Sequence, residues 1–399
     1  MSLELSAKGL SVKPSSTLAI TAKAKELRAS GKDVVGFGAG EPDFNTPENI
    51  CIAAKKAIET GFTKYTAAPG TPELRKAVSD KFKKINGLDY EPNQVVISNG
   101  GKHALTNIFE AIINPGDEVI IPTPFWLSYP EIVKLAGGVP VFVRCEASDN
   151  YKISPEKLAQ ACTAKTKAFI LNSPNNPTGM VYSREELEGL AKVIVEKDIY
   201  VISDEIYEYL TYEDEEIVSI GSLNKDILAH TITCNGMAKS YAMTGWRIGY
   251  TGAPLAVAKV MSSIQSHQTS NPNSIAQAAS LEALTGPQES VFAMREQFNK
   301  RRLYMYERIA AMPHVTTLCP RGAFYVFVDI SKALQLSYKG KKIETCDEFA
   351  RILIEDYNTA VIPCADFGFA DHIRLSYAIG IEQIEKGLNR IEEFLKSLN

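Results

Sequence analysis

The segment Lys167–Glu205 has the sequence KAFILNSPNNPTGMVYSREELEGLAKVIVEKDIYVISDE. Two apolar runs, AFIL and YVIS, flank the amphipathic helical pattern SREELEGLAKVIVEKD. Strands that are apolar throughout and are joined by a helix are typical of a parallel sheet covered on both faces. The segment therefore predicts a strand–helix–strand unit within a parallel sheet.

The same alternation continues on the N-terminal side of this unit. The further strand and helix patterns are QVVIS with GKHALTNIFEAII, DEVIIP with FWLSYPEIVKLAG, and VPVFVRC with SPEKLAQACT. Residues 48–290 are therefore predicted to form one large α/β domain, with a mostly parallel sheet between layers of helices. After residue 290 the pattern changes to mixed helices and strands, so residues 1–47, with an N-terminal arm, and 291–399 are predicted to form a smaller α+β domain.

Composition excludes several classes of protein. The chain has 399 residues, 45% hydrophobic and 23% charged, with a net charge of −4 and scattered basic residues, which argues against nucleic acid or an anionic membrane as partner. The seven cysteines include no CxxC pair, so we expect neither a disulfide framework nor a metal site. The first residues contain no long apolar region, and no run approaches the ~20 apolar residues of a membrane helix. These features predict a soluble, cytoplasmic protein.

Polar or glycine-rich segments follow several of the predicted strands. In a parallel sheet, ligands bind where the strands end. After VVIS, the residues Asn99, Gly100, Gly101 and Lys102 open a helix. Glycines permit close approach of the backbone, and free N–H groups at a helix start can bind an anion such as phosphate. A plain strand-to-helix turn is the alternative.

Two more strands end in polar groups. After AFIL, the segment 172–179, NSPNNPTG, predicts a rigid polar turn, which is costly to bury unless its amides have partners. A surface loop is the alternative. After YVIS, Asp204 is followed by Glu205 and Tyr207. A carboxylate that ends a buried strand needs a cationic partner, either a ligand or, alternatively, a structural salt bridge.

A lysine and an arginine stand eight residues apart in CNGMAKSYAMTGWRIGYTG, Cys234–Gly252. Lys239 follows the predicted strand HTITCNG, and Arg247 is predicted to open the next strand, RIGYTG. Burial lowers the pKa of a lysine and makes it a nucleophilic amine. Arginine stays charged and holds phosphate through several donors.

Together these residues match the needs of one cofactor, pyridoxal 5′-phosphate. It requires an amine that bonds to its aldehyde, a carboxylate for its ring nitrogen, an anion site for its phosphate and a donor for its ring oxygen. The candidates, in that order, are Lys239; Asp204; the Gly100–Gly101–Lys102 turn with Arg247; and Tyr207 with Asn176.

The whole chain also resembles a known family, the class I aminotransferases of fold type I, in particular the bacterial and thermophile-type aspartate aminotransferase subgroup. The motifs that resemble it are GAGEPDF, KYTAAPGTPELR, NGGKHAL, PTPFWLSYP, NSPNNPTG, SDEIYE, AKSYAMTGWRIGY, GAFYVF and RLSYA. This resemblance implies that Lys239 also moves the proton between substrate and cofactor.

The resemblance implies further site residues. Trp126 is expected to stack on the cofactor ring, and Tyr65 to reach the phosphate of a neighbouring subunit, so that a homodimer shares its active sites. Arg374 is expected to bind the substrate α-carboxylate, with the Gly40 backbone closing over it, and Lys102 is the candidate for the distal carboxylate. In many relatives a serine precedes the lysine, and here Ala238 takes that place.

The expected reaction is transfer of the amino group of L-aspartate to 2-oxoglutarate, giving oxaloacetate and L-glutamate. An aminotransferase for aromatic amino acids, alanine or kynurenine, or a carbon–sulfur β-lyase of the same fold, is the alternative. A regulator with a fused DNA-binding domain would need a longer segment before GFGAGEPDF. A dinucleotide-binding dehydrogenase is disfavoured because GFGAGE is not GxGxxG and no strand–helix–strand unit follows it.

Overall fold

The computed structural model describes residues 4–14, 16–213 and 216–399, apart from the side chain of Leu18. The helices are α1 (Ala7–Leu10), α2 (Ser16–Ala29), α3 (Glu48–Glu59), α4 (Pro72–Lys81), α5 (Gly101–Ile112), α6 (Ser128–Leu135), α7 (Pro155–Ala161), α8 (Arg184–Lys197), α9 (Lys225–His230), α10 (Leu255–Gln268), α11 (Ser274–Thr285), α12 (Glu289–Ala310), α13 (Cys346–Asp356) and α14 (Ile381–Lys396). The strands are β1 (Val35–Gly36), β2 (Val95–Ser98), β3 (Glu118–Thr123), β4 (Val139–Arg144), β5 (Thr166–Asn172), β6 (Tyr200–Asp204), β7 (Thr231–Gly236), β8 (Gly249–Gly252), β9 (Thr316–Thr317), β10 (Tyr325–Asp329), β11 (Ser337–Tyr338), β12 (Lys341–Lys342), β13 (Thr359–Ala360), β14 (Ile362–Pro363) and β15 (His372–Ser376).

The largest sheet has seven strands in the order β2-β8-β7-β6-β5-β3-β4. β4, β3, β5, β6 and β7 pair in parallel, whereas β8 is antiparallel to both of its neighbours. The segment Lys167–Glu205 forms β5, α8 and β6, with β5 and β6 adjacent and parallel. The predicted fold, a mostly parallel sheet with helices around it, is confirmed.

Local sequence explains the helix inside that unit. Ser183 caps α8 by accepting from the Glu186 N–H, while the Glu186 side chain accepts from the Ser183 N–H. Leu187, Leu190 and Ile194 lie one turn apart and are buried in one apolar cluster with β5 and β6 residues. Burial of each such side chain contributes about 1.5–3 kcal/mol, so packing on the sheet holds the helix in place.

A second sheet, β14-β15-β10-β9, is antiparallel throughout and packs with α12, α13 and α14. The proposed division at residue 290 falls just inside α12 (Glu289–Ala310), which is one continuous helix. The two-domain division, 48–290 against 1–47 plus 291–399, stays a prediction. Residues 1–3 and 15 of the smaller predicted unit lie outside the described residues.

One predicted strand start is wrong. β8 begins at Gly249, not at Arg247. Residues Thr244–Trp246 form a 3₁₀ turn, and Arg247 has φ 57°, a left-handed conformation that a strand does not accommodate. The chain thus leaves β7, turns at the edge of the sheet and returns antiparallel as β8, which brings Lys239 and Arg247 to the same edge.

Candidate active site

A cavity of about 270 Å³ lies where several parallel strands end. Its charged lining is unbalanced, because four cationic side chains and only one carboxylate, Asp204, line it among the described residues. Such a lining suits a ligand with several negative charges. The predicted site residues that line it are Gly40, Gly101, Lys102, Trp126, Asn176, Asp204, Tyr207, Lys239, Arg247 and Arg374.

Lys239 lies three residues after β7, with its Nζ in the cavity. Nζ donates a hydrogen bond to the carbonyl oxygen of Gly40. Burial lowers the pKa of Lys239 to about 8; Glu41 opposes this shift, and Arg374 and Arg247 add to it. The amine therefore loses its proton much more readily than a surface lysine, as a nucleophile requires.

Asp204 ends β6 and is 4% exposed. Its Oδ2 accepts from the Tyr129 hydroxyl at 2.6 Å, and its Oδ1 accepts from the Ile206 N–H at 3.2 Å. Burial raises the pKa of Asp204 to about 6, although both hydrogen bonds and the charge of Lys239 act to lower it. The structure gives Asp204 no ion pair within the described residues, so the predicted alternative of a structural salt bridge does not account for it. A protonated ring nitrogen would supply the missing cation.

The turn after β2 and the residue Arg247 form a cationic corner. Gly100 has φ +88°, and a Cβ atom there would collide with the Arg247 guanidinium. α5 starts at the next residue, Gly101, so its free N–H groups lie at this corner. Burial and the Arg247 charge lower the pKa of Lys102. The corner combines two cations with a helix start, which are the requirements of a phosphate site.

The turn Asn172–Gly179 is buried, so the surface-loop alternative is wrong. Asn176 is 5% exposed and Thr178 is 1% exposed. The turn is held by its own amides: Asn172 Nδ2 donates to the Asp204 carbonyl oxygen at 3.0 Å, and Asn172 Oδ1 accepts from the Asn176 N–H at 2.9 Å. The Asn176 backbone is thereby fixed at the cavity, and its side-chain Oδ1 accepts from Arg374 Nη1 at 3.0 Å.

Arg374, on β15, is 2% exposed. Its Nη1 donates to Asn176 Oδ1 at 3.0 Å, and its Nη2 donates to the Gly38 carbonyl oxygen at 3.4 Å. Its buried Nε has no hydrogen-bond partner in the described part of the chain. A buried guanidinium with an unused donor and no carboxylate partner fits the binding of a substrate carboxylate.

Trp126 lies at the cavity, as expected, whereas Tyr65 does not. The Lys102 Nζ is 5.1 Å from the Trp126 ring centre, and the Tyr129 ring is packed edge-on at 5.4 Å. Tyr65 is 88% exposed and does not line the cavity of its own chain. Its predicted contact with a neighbouring subunit stays a prediction.

Tyr129, Tyr325 and Thr17 line the cavity but were not singled out from the sequence. The two tyrosines lie inside motifs that the resemblance used, PTPFWLSYP and GAFYVF. An aromatic residue inside a predicted helix or strand is, however, more often part of the core. Thr17, in the N-terminal helix α2, has no local signal of function. Ala238, in place of the serine of many relatives, also lines the cavity.

Comparison with known proteins decides the family. The model of the family "Aminotransferase class I and II" matches residues 32–391. The chain belongs to this family. Members of the family depend in general on pyridoxal phosphate, and the charged cavity described above fits that group.

Several relatives have similar sequences. An aspartate aminotransferase of Bacillus sp. (strain YM-2) is 50% identical over 96% of this chain and 97% of its own length. An aspartate aminotransferase of Geobacillus stearothermophilus is 48% identical over 99% of this chain and 100% of its own.

Solved structures agree. The aspartate aminotransferase of Rhizobium meliloti superposes with a TM-score of 0.97 at 40% identity and covers 100% of both chains. That of Thermus thermophilus with maleate superposes with a TM-score of 0.93 at 44% identity, covering 98% of this chain and 100% of that one.

Among residues 4–14, 16–213 and 216–399, no helix has the length and apolar character to cross a bilayer. Nor does this part of the chain contain a group of three or more His, Cys, Asp or Glu side chains placed to hold a metal ion.

Proposed function

We propose that this chain transfers the amino group of L-aspartate to 2-oxoglutarate, with pyridoxal 5′-phosphate as cofactor. The main support is the cavity lining of four cations and one carboxylate, which would accommodate a phosphate and the carboxylates of a dicarboxylic substrate together. The relatives named aspartate aminotransferase, and the relative that was solved with the dicarboxylate maleate, support the same substrate class.

Each residue has a proposed task. Lys239 Nζ would bond to the cofactor, and Asp204 would keep a proton on its ring nitrogen. Bound there, the protonated pyridine ring supplies a sink for the charge that forms at the substrate Cα. Once substrate is bound, Lys239 Nζ would take the Cα proton and return it on the cofactor side, a role that its pKa of about 8 suits.

The remaining residues would bind and orient. The backbone of the Gly100–Gly101–Lys102 turn and the Arg247 side chain would hold the phosphate; Trp126 would cover the ring; Asn176 and Tyr207 would donate to the ring oxygen. Arg374 and the Gly40 backbone would hold the α-carboxylate, and the Lys102 side chain is the candidate for the distal one. Without substrate, Arg374 Nη1 donates a hydrogen bond to Asn176 Oδ1. A bound substrate carboxylate would interact with Arg374 more strongly than this neutral acceptor does, because it carries a negative charge.

The decisive experiment uses the bound cofactor itself. Purified protein incubated with pyridoxal phosphate is expected to become yellow, and borohydride reduction is expected to label the peptide that contains Lys239. Lys239→Ala is the matched control and is expected to give no labelled peptide. A wild-type protein that stays colourless and unlabelled would contradict the proposal.

Substrate choice is tested by single-turnover spectra with a panel of amino acids. Aspartate and glutamate are expected to change the cofactor spectrum much faster than alanine, and Lys102→Ala is expected to reduce that preference. The exposed Lys76→Ala serves as control. Turnover that does not require a 2-oxo acid would indicate the β-lyase reaction instead.

We also propose a homodimer in which Tyr65 completes the partner's phosphate site, because its side chain is 88% exposed and away from its own cavity. Hybrid dimers of Tyr65→Phe and Lys239→Ala subunits test this. Their one working lysine would lie in the Tyr65→Phe subunit, next to an intact tyrosine of the partner. Cofactor affinity at that site is expected to match wild type, whereas Tyr65→Phe homodimers bind more weakly.

A further inference from the structure

Tyr325 connects two parts of the site that have separate tasks. It begins β10, is 1% exposed and lines the cavity. In the pairing of β10 with β15, Phe327 lies opposite Arg374, so Tyr325 is the diagonal neighbour of Arg374 on the same face. The Arg374 guanidinium accordingly lies over the Tyr325 ring, 4.3 Å from its centre.

The hydroxyl of the same tyrosine points to Tyr207. The two oxygens are 3.0 Å apart, and either can donate. Under the proposed function the Tyr207 proton is directed at the cofactor ring oxygen. Since a phenol has one proton, the hydrogen bond between the tyrosines then has a single arrangement, in which Tyr325 donates and Tyr207 Oη accepts.

We propose that Tyr325 is a positioning residue that couples the Arg374 clamp to the Tyr207 hydroxyl: its ring face orients the guanidinium, and its hydroxyl makes Tyr207 a stronger donor. This inference rests on the proposed function. Chains of hydrogen bonds polarise one another, so a phenol that accepts a bond donates a stronger one. A cation held over an aromatic face is attracted to it, and Arg374 Nε lacks any other partner among the described residues.

Burial keeps both tyrosine hydroxyls protonated. Burial raises the pKa of Tyr325, whereas the Arg374 charge and the bond to Tyr207 act against the increase. Burial is the main cause that raises the pKa of Tyr207 well above its usual range, and Tyr325 is the second. The Arg374 charge acts against this increase, and the Asp204 charge adds to it. Both phenols thus keep their protons at the pH values at which the Lys239 amine titrates.

Tyr325→Phe and Tyr325→Leu separate the two effects. Tyr325→Phe removes only the hydroxyl, whereas Tyr325→Leu removes the ring as well.

The first readout is the pH midpoint of the visible absorbance of the bound cofactor, which reports the proton on Lys239 Nζ. A weaker Tyr207 donor leaves more negative charge on the ring oxygen, which holds that proton more strongly. We expect Tyr325→Phe to raise the midpoint by roughly 0.2–0.5 pH unit.

The second readout is the dissociation constant of maleate, a dicarboxylate that lacks an amino group. We expect Tyr325→Leu to weaken maleate binding about tenfold, because the guanidinium loses its aromatic support, and Tyr325→Phe to change it less than twofold. Thermal unfolding of both variants checks that they are folded; if Tyr325→Leu is not, Tyr325→Phe alone decides.

A double-mutant cycle identifies the path. In a Tyr207→Phe background, Tyr325→Phe is expected to leave the midpoint unchanged. An unchanged midpoint in Tyr325→Phe alone, or an equal shift in both backgrounds, would overturn the coupling while wild type still binds cofactor at Lys239. Wild type that binds none would overturn the proposed function, and the coupling with it.

Discussion

Asp204 and Glu205 are adjacent carboxylates at the end of β6, and both are at least 95% buried. Successive side chains of an extended strand point to opposite faces, so the two enter different surroundings. Asp204 faces the cavity, where it has two hydrogen-bond donors. Glu205 faces the protein interior, where Ser203 and Ser219 donate to it at 2.8 and 2.6 Å. Burial raises the pKa of Asp204 to about 6 and that of Glu205 to about 7.

The two carboxylates differ in how the protein balances their charge. Beside Glu205, the buried Lys81 forms an ion pair with Glu208, and Asn86 donates to both glutamates. No such pair serves Asp204 among the described residues. The interior cluster is completed by protein groups, whereas the cavity side is left to be completed by a ligand. A buried carboxylate that forms no ion pair and faces a cavity is therefore the better indicator of function.

Asp204→Asn should have the largest effect. Under the proposed function it removes the charge that holds the ring-nitrogen proton, so kcat/KM for aspartate should fall about 10³-fold or more, a loss of about 4 kcal/mol. The cofactor-free variant should unfold at the same or a higher temperature than wild type, because a buried charge is gone. Steady-state kinetics and thermal unfolding measure both; a clear loss of stability would show that Asp204 is structural.

In contrast to Asp204→Asn, Lys81→Met should lower the stability of the protein and leave the cavity unchanged. It leaves Glu205 and Glu208 buried without their cation, so the free energy of unfolding should fall by about 3–5 kcal/mol. Urea unfolding measures this, with Lys76→Met as control. The Lys76–Asp80 pair is exposed and worth about 0–0.5 kcal/mol. If Lys81→Met instead shifted the pH midpoint of the bound cofactor with unchanged stability, the two clusters would not be separate.

The pH dependence of stability should show both carboxylates. A carboxyl group whose pKa is raised by folding stabilises the folded state below its unfolded pKa, and this contribution is lost as pH rises through the folded value. The free energy of unfolding of the cofactor-free protein should therefore fall by about 3–5 kcal/mol between pH 4.5 and pH 7. Lys239, whose folded pKa is lowered to about 8, should add stability as pH rises from about 8 to 10.

Urea unfolding at a series of pH values measures this profile. Asp204→Asn should reduce the slope below pH 7, and Lys239→Met should remove the rise above pH 8. A profile that both variants leave unchanged would contradict the assignment of the two slopes.

The smallest effects should come from a matched pair of hydrogen-bond deletions. Tyr129→Phe and Ser219→Ala each remove a 2.6 Å donor to a buried carboxylate, Asp204 in one case and Glu205 in the other. Each lost hydrogen bond should cost about 1–3 kcal/mol. In Tyr129→Phe the cost should appear in the free energy of cofactor binding, whereas in Ser219→Ala it should appear only in the free energy of unfolding. Equilibrium dialysis and urea unfolding distinguish them, and equal effects on cofactor binding would remove the contrast.

Much of this arrangement could be predicted from the sequence. The apolar runs and amphipathic helices indicated the parallel sheet, and polar residues after the strands indicated where the charged cavity lies, because both patterns are local. The Asp204 carboxylate, the Asn172–Gly179 turn and Lys239 were found in this way. The resemblance, rather than any local pattern, pointed to Arg374 and Trp126.

The rest depends on contacts between distant residues. Lys81 lies on α4, more than 100 positions from Glu208, and nothing near it in the sequence indicates burial. Tyr129 and Tyr325 are ordinary aromatic residues until the fold places their hydroxyls beside Asp204 and Tyr207. The apolar neighbours of Arg247 predict a strand there, and the sequence carries no signal of its left-handed backbone.

The reversed strand β8 has a consequence for how this site can change over time. Because β7 and β8 are neighbours, the single connection between them presents both the Lys239 amine and the Arg247 guanidinium to the cavity. The length of this connection sets the distance between the two groups, so an insertion or deletion within residues 240–246 would move one relative to the other. Natural variation and loop engineering should therefore alter the chemistry of this segment by exchanging side chains, while insertions and deletions accumulate elsewhere on the surface.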